Sequence, residues 1–142
     1  MKDQVKAVFA VYPALERAAD VLDRALDALA CNMGGSAEEL FEATLGIIDL
    51  KRQAVDLRDI YDALAGRLTE RELAALTAWS EGRPVGESAA ARGVSASAEK
   101  AARCTGAAKC VRELERLRRR GLDVGDCADV IARFSRAGRR TG

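Results

Sequence analysis

Residues 68–117 read LTERELAALTAWSEGRPVGESAAARGVSASAEKAARCTGAAKCVRELERL. Thr69 stands before an apolar run and Glu72 follows three residues later, so the hydroxyl can accept a first-turn amide while the glutamate reaches back. This predicts a helix start. Leu73, Leu76 and Trp79 recur on one face, and Gly82 supplies the left-handed residue that commonly ends a helix, here near Glu81. Pro84, whose missing amide is harmless in a first turn, opens a short second helix to Arg92. Gly93-Val94-Ser95 gives a turn glycine, one buried apolar residue and a capping hydroxyl, after which Ala96 to about Arg119 runs as a third helix. Two helices joined by such a turn form a helix-turn-helix.

Upstream, Val8, Tyr12, Leu15, Ala19, Leu22, Leu26 and Leu29 alternate in steps of four and three, the spacing that keeps one seam against a partner helix. Pro13 falls inside that pattern. Either the helix starts there, with Val5 to Tyr12 as a separate turn, or it kinks. Cys31 to Gly35 interrupts the periodicity, Gly34-Gly35 being a loop hinge, and Ser36 with Glu39 makes a second capping box that starts the next helix at Ala37. There Leu40, Ala43, Ile47, Leu50, Ala54, Leu57, Tyr61, Leu64 and Leu68 keep the same step. Phe41, Ile48 and Val55 add a second apolar line, which either the C-terminal part or a second subunit must cover. The expected architecture is all-α: an antiparallel helical hairpin over residues 1–66, serving for dimerisation, then a helix-turn-helix domain of three to four helices over 67–142. Asp126 is placed to cap a last helix carrying Val130, Ile131 and Phe134, and Arg136 to Gly142 reads as a mobile basic tail.

Composition agrees with an all-α chain, since proline occurs twice and β-branched and aromatic residues are scarce. No apolar run approaches a membrane span, and MKDQVKAVF lacks the layout of a signal peptide, so the chain reads as cytoplasmic and without a membrane partner. Cys31, Cys104, Cys110 and Cys127 form no CxxC pair and there is no histidine; small buried thiols are expected, and no metal or cofactor. The net charge of +1 conceals an asymmetry. Residues 1–66 carry 7 Lys/Arg against 12 Asp/Glu, and residues 67–142 carry 16 against 10. A basic second half suits an approach to a polyanion. Without histidine, a phosphate-cradling loop or a ligand cluster, no enzyme is expected.

The segment from Leu68 to Leu117 resembles region 4 of bacterial RNA polymerase sigma factors. The likeness rests on Leu68-Thr69-x-Arg71-Glu72, Leu76 and Trp79, Gly82, Glu87 with Ala89, Gly93-Val94-Ser95, and Leu114 with Leu117. The preceding Ile48-x-Leu50-Lys51 and Leu57-x-x-Ile60-Tyr61 look like the N-terminal part of small phage and prophage late-transcription regulators. The resemblance implies a winged-helix-like DNA-binding domain, a transcription-regulating function, double-stranded DNA as partner, and RNA polymerase and a second copy of the chain as further partners. Ser88, Arg92 and Glu99 stand where that motif buries aliphatic side chains, and Gly106 lies in mid-helix. Either the third helix is rotated so that Ala98, Ala101, Ala102 and Thr105 pack while Glu99 is exposed, or the motif is degenerate. The alternative function is then a protein-interaction adaptor or dimerisation module that no longer binds DNA.

If the third helix enters a groove, its first two turns present Ser95, Ala96, Ser97, Lys100 and Arg103. Lys100 and Arg103 would reach guanine edges or phosphates, Ser97 a base or backbone oxygen, and Arg83 and Arg92 would flank the duplex.

Overall fold

A computed structural model describes residues 1–31 and 36–140, the last five as backbone alone. Among these residues there are seven α-helices and no strand: α1 (Lys2–Val11), α2 (Leu15–Cys31), α3 (Ala37–Ala65), α4 (Glu70–Ser80), α5 (Val85–Arg92), α6 (Ala96–Arg119) and α7 (Ala128–Arg140). None is long and apolar enough to cross a membrane. The hinge expected at Gly34-Gly35 lies outside the described residues.

Local chemistry accounts for the boundaries. Pro13 separates α1 from α2 through a 3-10 turn, Tyr12–Ala14, so Val5 to Val11 forms a helix of its own. Ser36 accepts the Glu39 amide at 3.1 Å and starts α3. Thr69 accepts the Glu72 amide at 3.2 Å while Glu72 Oε1 accepts the Thr69 amide at 2.9 Å, completing the capping box. Gly82 (φ 77°) and Gly93 (φ 67°) take the left-handed conformation after α4 and α5. The last helix departs from expectation. Asp126 does not cap it; Asp126 lies inside a 3-10 turn, Val124–Cys127, whose cap is Asp123, and the side chain of Gln53 on α3 accepts the Val130 amide at 3.1 Å. Helix α7 continues through Arg140, where a tail was expected, and Thr141 and Gly142 lie outside the described residues.

One apolar cluster runs through both halves of the chain. Val5, Val8, Phe9 and Val11 of α1 meet Leu57, Ile60 and Leu64 of α3, and the same cluster takes in Leu76, Cys110, Leu114 and Val130. Helix α1 thus packs against α4, α6 and α7 rather than extending α2. Tyr12 stacks on Tyr61 with ring centroids 3.5 Å apart, and the Lys6 ammonium lies 5.5 Å from the Trp79 ring. Helix α2 runs along α3, bridged by Lys51–Asp23 at 2.5 Å and Arg58–Glu16 at 3.6 Å, pairs whose numbering runs in opposite directions. The turn at Pro13 shifts the seam of α2: Ala18 is buried and Ala19 exposed, the reverse of what a continuous heptad from Val8 requires. Phe41, Ile48 and Val55 are not covered by the C-terminal half and remain exposed. Two of the four thiols also depart from expectation, since Cys31 and Cys104 are exposed while Cys110 and Cys127 are buried.

Candidate nucleic-acid interface

Helices α4, α5 and α6 pack on one another, and their turns are held by backbone bonds from Arg83 N to the Ala78 carbonyl (3.1 Å) and from Val94 N to the Ala89 carbonyl (3.0 Å). Val94 is half-buried. Ser95 caps α6 by accepting the Ala98 amide at 3.1 Å. A Cβ placed on Gly106 would lie 3.1 Å from Leu76 Cδ1 and 3.4 Å from Glu72 Cβ, so the mid-helix glycine marks the close approach of α4 to α6.

Glu99 faces inward. It is fully buried (0% exposed), and Ala102, Gly106, Cys110, Leu114 and Leu117 continue the same inward face of α6. The expectation of a rotated helix with Glu99 exposed is therefore overturned, although Ala102 is buried as that alternative required. Two guanidinium groups make the burial tolerable. Arg92 of α5 pairs with Glu99 Oε2, and Arg103, one turn along α6, brings Nε to 3.3 Å from Glu99 Oε1. Arg103 Nη2 also donates to Ser88 Oγ (2.8 Å) and to the Arg83 carbonyl (2.9 Å). The three residues that stood where aliphatic side chains belong, Ser88, Arg92 and Glu99, thus form one polar cluster closed by Arg103. A buried carboxylate paired this way avoids the several kcal/mol, by order of magnitude, that an unpaired one costs.

This cluster divides the residues expected at DNA. Ser95, Ala96, Ser97, Lys100 and Arg83 are exposed. Arg103 and Arg92 turn inward, with side chains 12% and 24% exposed. Lys100 makes no ion pair among the described residues, and Arg83 makes a surface pair with Glu81 at 3.1 Å. Such surface pairs contribute little and give way readily to a phosphate.

A second basic surface was not expected. Lys109, Arg112 and Arg116 recur along one edge of α6 and, with Arg67 from the turn after α3, line a cleft of about 400 Å³. Lys109 donates to Glu72 (2.7 Å), and Arg67 (3.1 Å) and Arg116 both pair with the buried Glu113. The Lys109 ammonium, with the Thr69 amide, holds the Glu72 carboxyl below its ordinary range, and Arg116, then Arg67, does the same for Glu113. Arg112 is exposed and makes no ion pair among the described residues. The i, i+3, i+7 spacing of Lys109, Arg112 and Arg116 was the available signal.

No protein-family model, curated protein or solved structure matches this chain.

Proposed function

We propose that this chain is a sequence-specific DNA-binding transcription regulator acting in the cytoplasm, of the kind suggested by its resemblance to sigma factor region 4 and to phage late regulators. Residues 67–142, with α1 packed on them, serve as the helix-turn-helix domain, α6 as the helix that enters the major groove, and the α2–α3 hairpin of residues 1–66 as the part that joins two copies. The observation supporting this most directly is the division of α6. Its capped first turns leave Ser97 and Lys100 facing solvent, while its inward side is tied through Glu99 and Arg103 to α5 and to the turn before it. A groove-reading helix needs that rigidity. Lys100 supplies the charge for a phosphate or guanine edge, Ser97 a hydroxyl, Ala96 an apolar contact and Arg83 a flanking phosphate contact. Arg92 and Arg103 act as positioning residues. RNA polymerase is the further partner. The function is binding, without catalysis.

The second reading, a protein-interaction adaptor, is favoured by the same cluster, because it withdraws two cations from the groove-facing side. Fluorescence anisotropy with mixed-sequence duplex DNA across a salt series separates the two. For DNA docking, affinity falls steeply with salt, and Lys100→Ala with Arg83→Ala flattens the log–log slope by about one unit per lost phosphate contact. Absence of binding at low salt turns the reading to the adaptor, and binding indifferent to both substitutions removes the start of α6 as the DNA-contacting surface.

A further inference from the structure

Four cations converge on the cleft between the turn after α3 and the edge of α6. Its lining is Arg67, Lys109, Arg112, Glu113 and Arg116. Three of the cations have partners inside the chain, but the pairing does not neutralise the cleft. Glu113 takes both Arg67 and Arg116, and Lys109 rests on Glu72, so two carboxylates stand against four cations and two positive charges are in excess. Arg112 is exposed and makes no ion pair among the described residues. The excess continues along the helix, where residues 109–120 carry six Lys/Arg against Glu113 and Glu115 alone. Donors also remain. Arg116 commits Nε and Nη2 to Glu113, and Lys109 reaches Glu72 Oε1 with a single bond of the three an ammonium can donate. The side chains of Arg67 and Arg116 stay 56% and 40% exposed, open to a ligand from solvent.

We infer that this cleft binds a small anion carrying linked phosphoryl groups, with Arg112 as the principal contact and Arg67, Lys109 and Arg116 around it. Its volume of about 400 Å³ falls in the lower part of the range of roughly 300–1,000 Å³ found for small-molecule sites. No aromatic or aliphatic residue lines it, so charge does the recognising. Guanidinium forks match the geometry of phosphoryl oxygens, and an excess of two positive charges suits a linked phosphate better than a single carboxylate. Glu113 is buried and fixes two of the guanidinium groups before a ligand arrives, which lowers the ordering cost of binding. A duplex held by the start of α6 is not the occupant. Helical geometry places Lys109, Arg112 and Arg116 roughly 120–180° around α6 from Lys100 and roughly 14–24 Å further along it. DNA seated on Ser97 and Lys100 therefore leaves the cleft on the opposite side of the helix.

The inference goes beyond the proposed function and fails separately from it, since duplex binding is read at Lys100 and Arg83 and anion binding at Arg112. Isothermal titration calorimetry of the full chain with sodium pyrophosphate, in about 150 mM NaCl to screen diffuse attraction, should show one site with Kd below about 1 mM. Arg112→Ala should weaken binding by about tenfold or more, and Arg112→Lys, which keeps the charge and loses the fork, should restore only part of it. Because Arg112 makes no ion pair among the described residues, circular dichroism of both variants should match the parent. Arg67→Ala should weaken binding in the same direction, with Glu113 still paired to Arg116. Arg24→Ala removes the same charge from an exposed position on α2 and should change the affinity less than about twofold. No saturable binding up to about 5 mM pyrophosphate, affinity indifferent to Arg112→Ala and Arg67→Ala, or an equal loss in Arg24→Ala would each overturn the proposal. So would a mixed-sequence duplex that Arg112→Ala weakens and pyrophosphate displaces, because the cleft would then be a nucleic-acid surface.

Discussion

Substituting Glu99 by alanine removes a carboxylate that is fully enclosed and leaves two guanidinium groups behind. Arg103 keeps its bonds to Ser88 Oγ and the Arg83 carbonyl but stays largely buried without a counter-charge. Arg92 is the more exposed of the two and can swing to water. Breaking a buried pair typically costs about 3–5 kcal/mol. Because one arginine can escape, the lower end applies, and about 3 kcal/mol is expected, on the order of 10 °C in Tm for a chain of this size. Urea unfolding should be followed both by circular dichroism and by fluorescence of Trp79, which sits on α4 beside the affected core. Parent and variant are compared at one matched protein concentration, since any association would make stability depend on it. Replacing the whole cluster with apolar residues, Ser88→Ala, Arg92→Leu, Glu99→Leu and Arg103→Met, should by contrast be neutral or stabilising by roughly 1–4 kcal/mol, since no charge is then left buried. A Glu99→Ala loss below about 1 kcal/mol would refute the reasoning, because an exposed or unpaired carboxylate gives that result. So would a fourfold variant as unstable as the single one.

Three further outcomes follow from the geometry. Glu72 and Glu113 ionise more readily in the folded chain than at the ordinary carboxyl value of 4.5, so the stability they lend is complete above that pH and is lost as pH falls through their lower folded values; the urea midpoint should decline on acidification, and Lys109→Met should shrink that decline. Burial pushes the Cys110 thiol up to about 12 and Cys127 to about 11. Ellman's reagent at pH 8 should therefore react promptly with Cys31 and Cys104 alone, and rapid reaction of all four would contradict the packing around α6 and α7. Gly106→Leu should separate α4 from α6 and destabilise by about 1–3 kcal/mol, a loss that Leu76→Ala should partly relieve if the two side chains compete for one space.

Helix limits were legible wherever punctuation residues set them. Thr69, Gly82, Pro84, Gly93 and Ser95 place α4, α5 and α6 within a residue or so of their observed ends, because capping and left-handed turns depend on atoms only a few positions apart. Long-range partnership was not legible. Glu99 looked like a fault in the motif when weighed alone, and only the fold brings Arg92, seven residues earlier, onto it and ties Ser88 to its other partner, Arg103. A break at Pro13 was one of the two alternatives the sequence left open, but heptad counting could not show that the 3-10 turn there sends α1 into the C-terminal core. Asp126 was a reasonable cap by position, but the side chain that satisfies the start of α7 comes from Gln53, far away in sequence. The second apolar line of Phe41, Ile48 and Val55 was visible from spacing, but that the C-terminal half leaves it exposed was not, because that depends on where α6 and α7 pack.

The Glu99 cluster also constrains how this chain can diverge. An apolar core drifts by small steps, one methyl group at a time, each tolerable by itself. Here the intermediates are the obstacle: losing the carboxylate strands two cations, and losing either arginine uncovers a carboxylate. Ser88, Arg92, Glu99 and Arg103 should therefore be inherited or exchanged as a set. Among descendants of this sequence, a hydrophobic residue at position 99 should travel with the loss of arginine at positions 92 and 103.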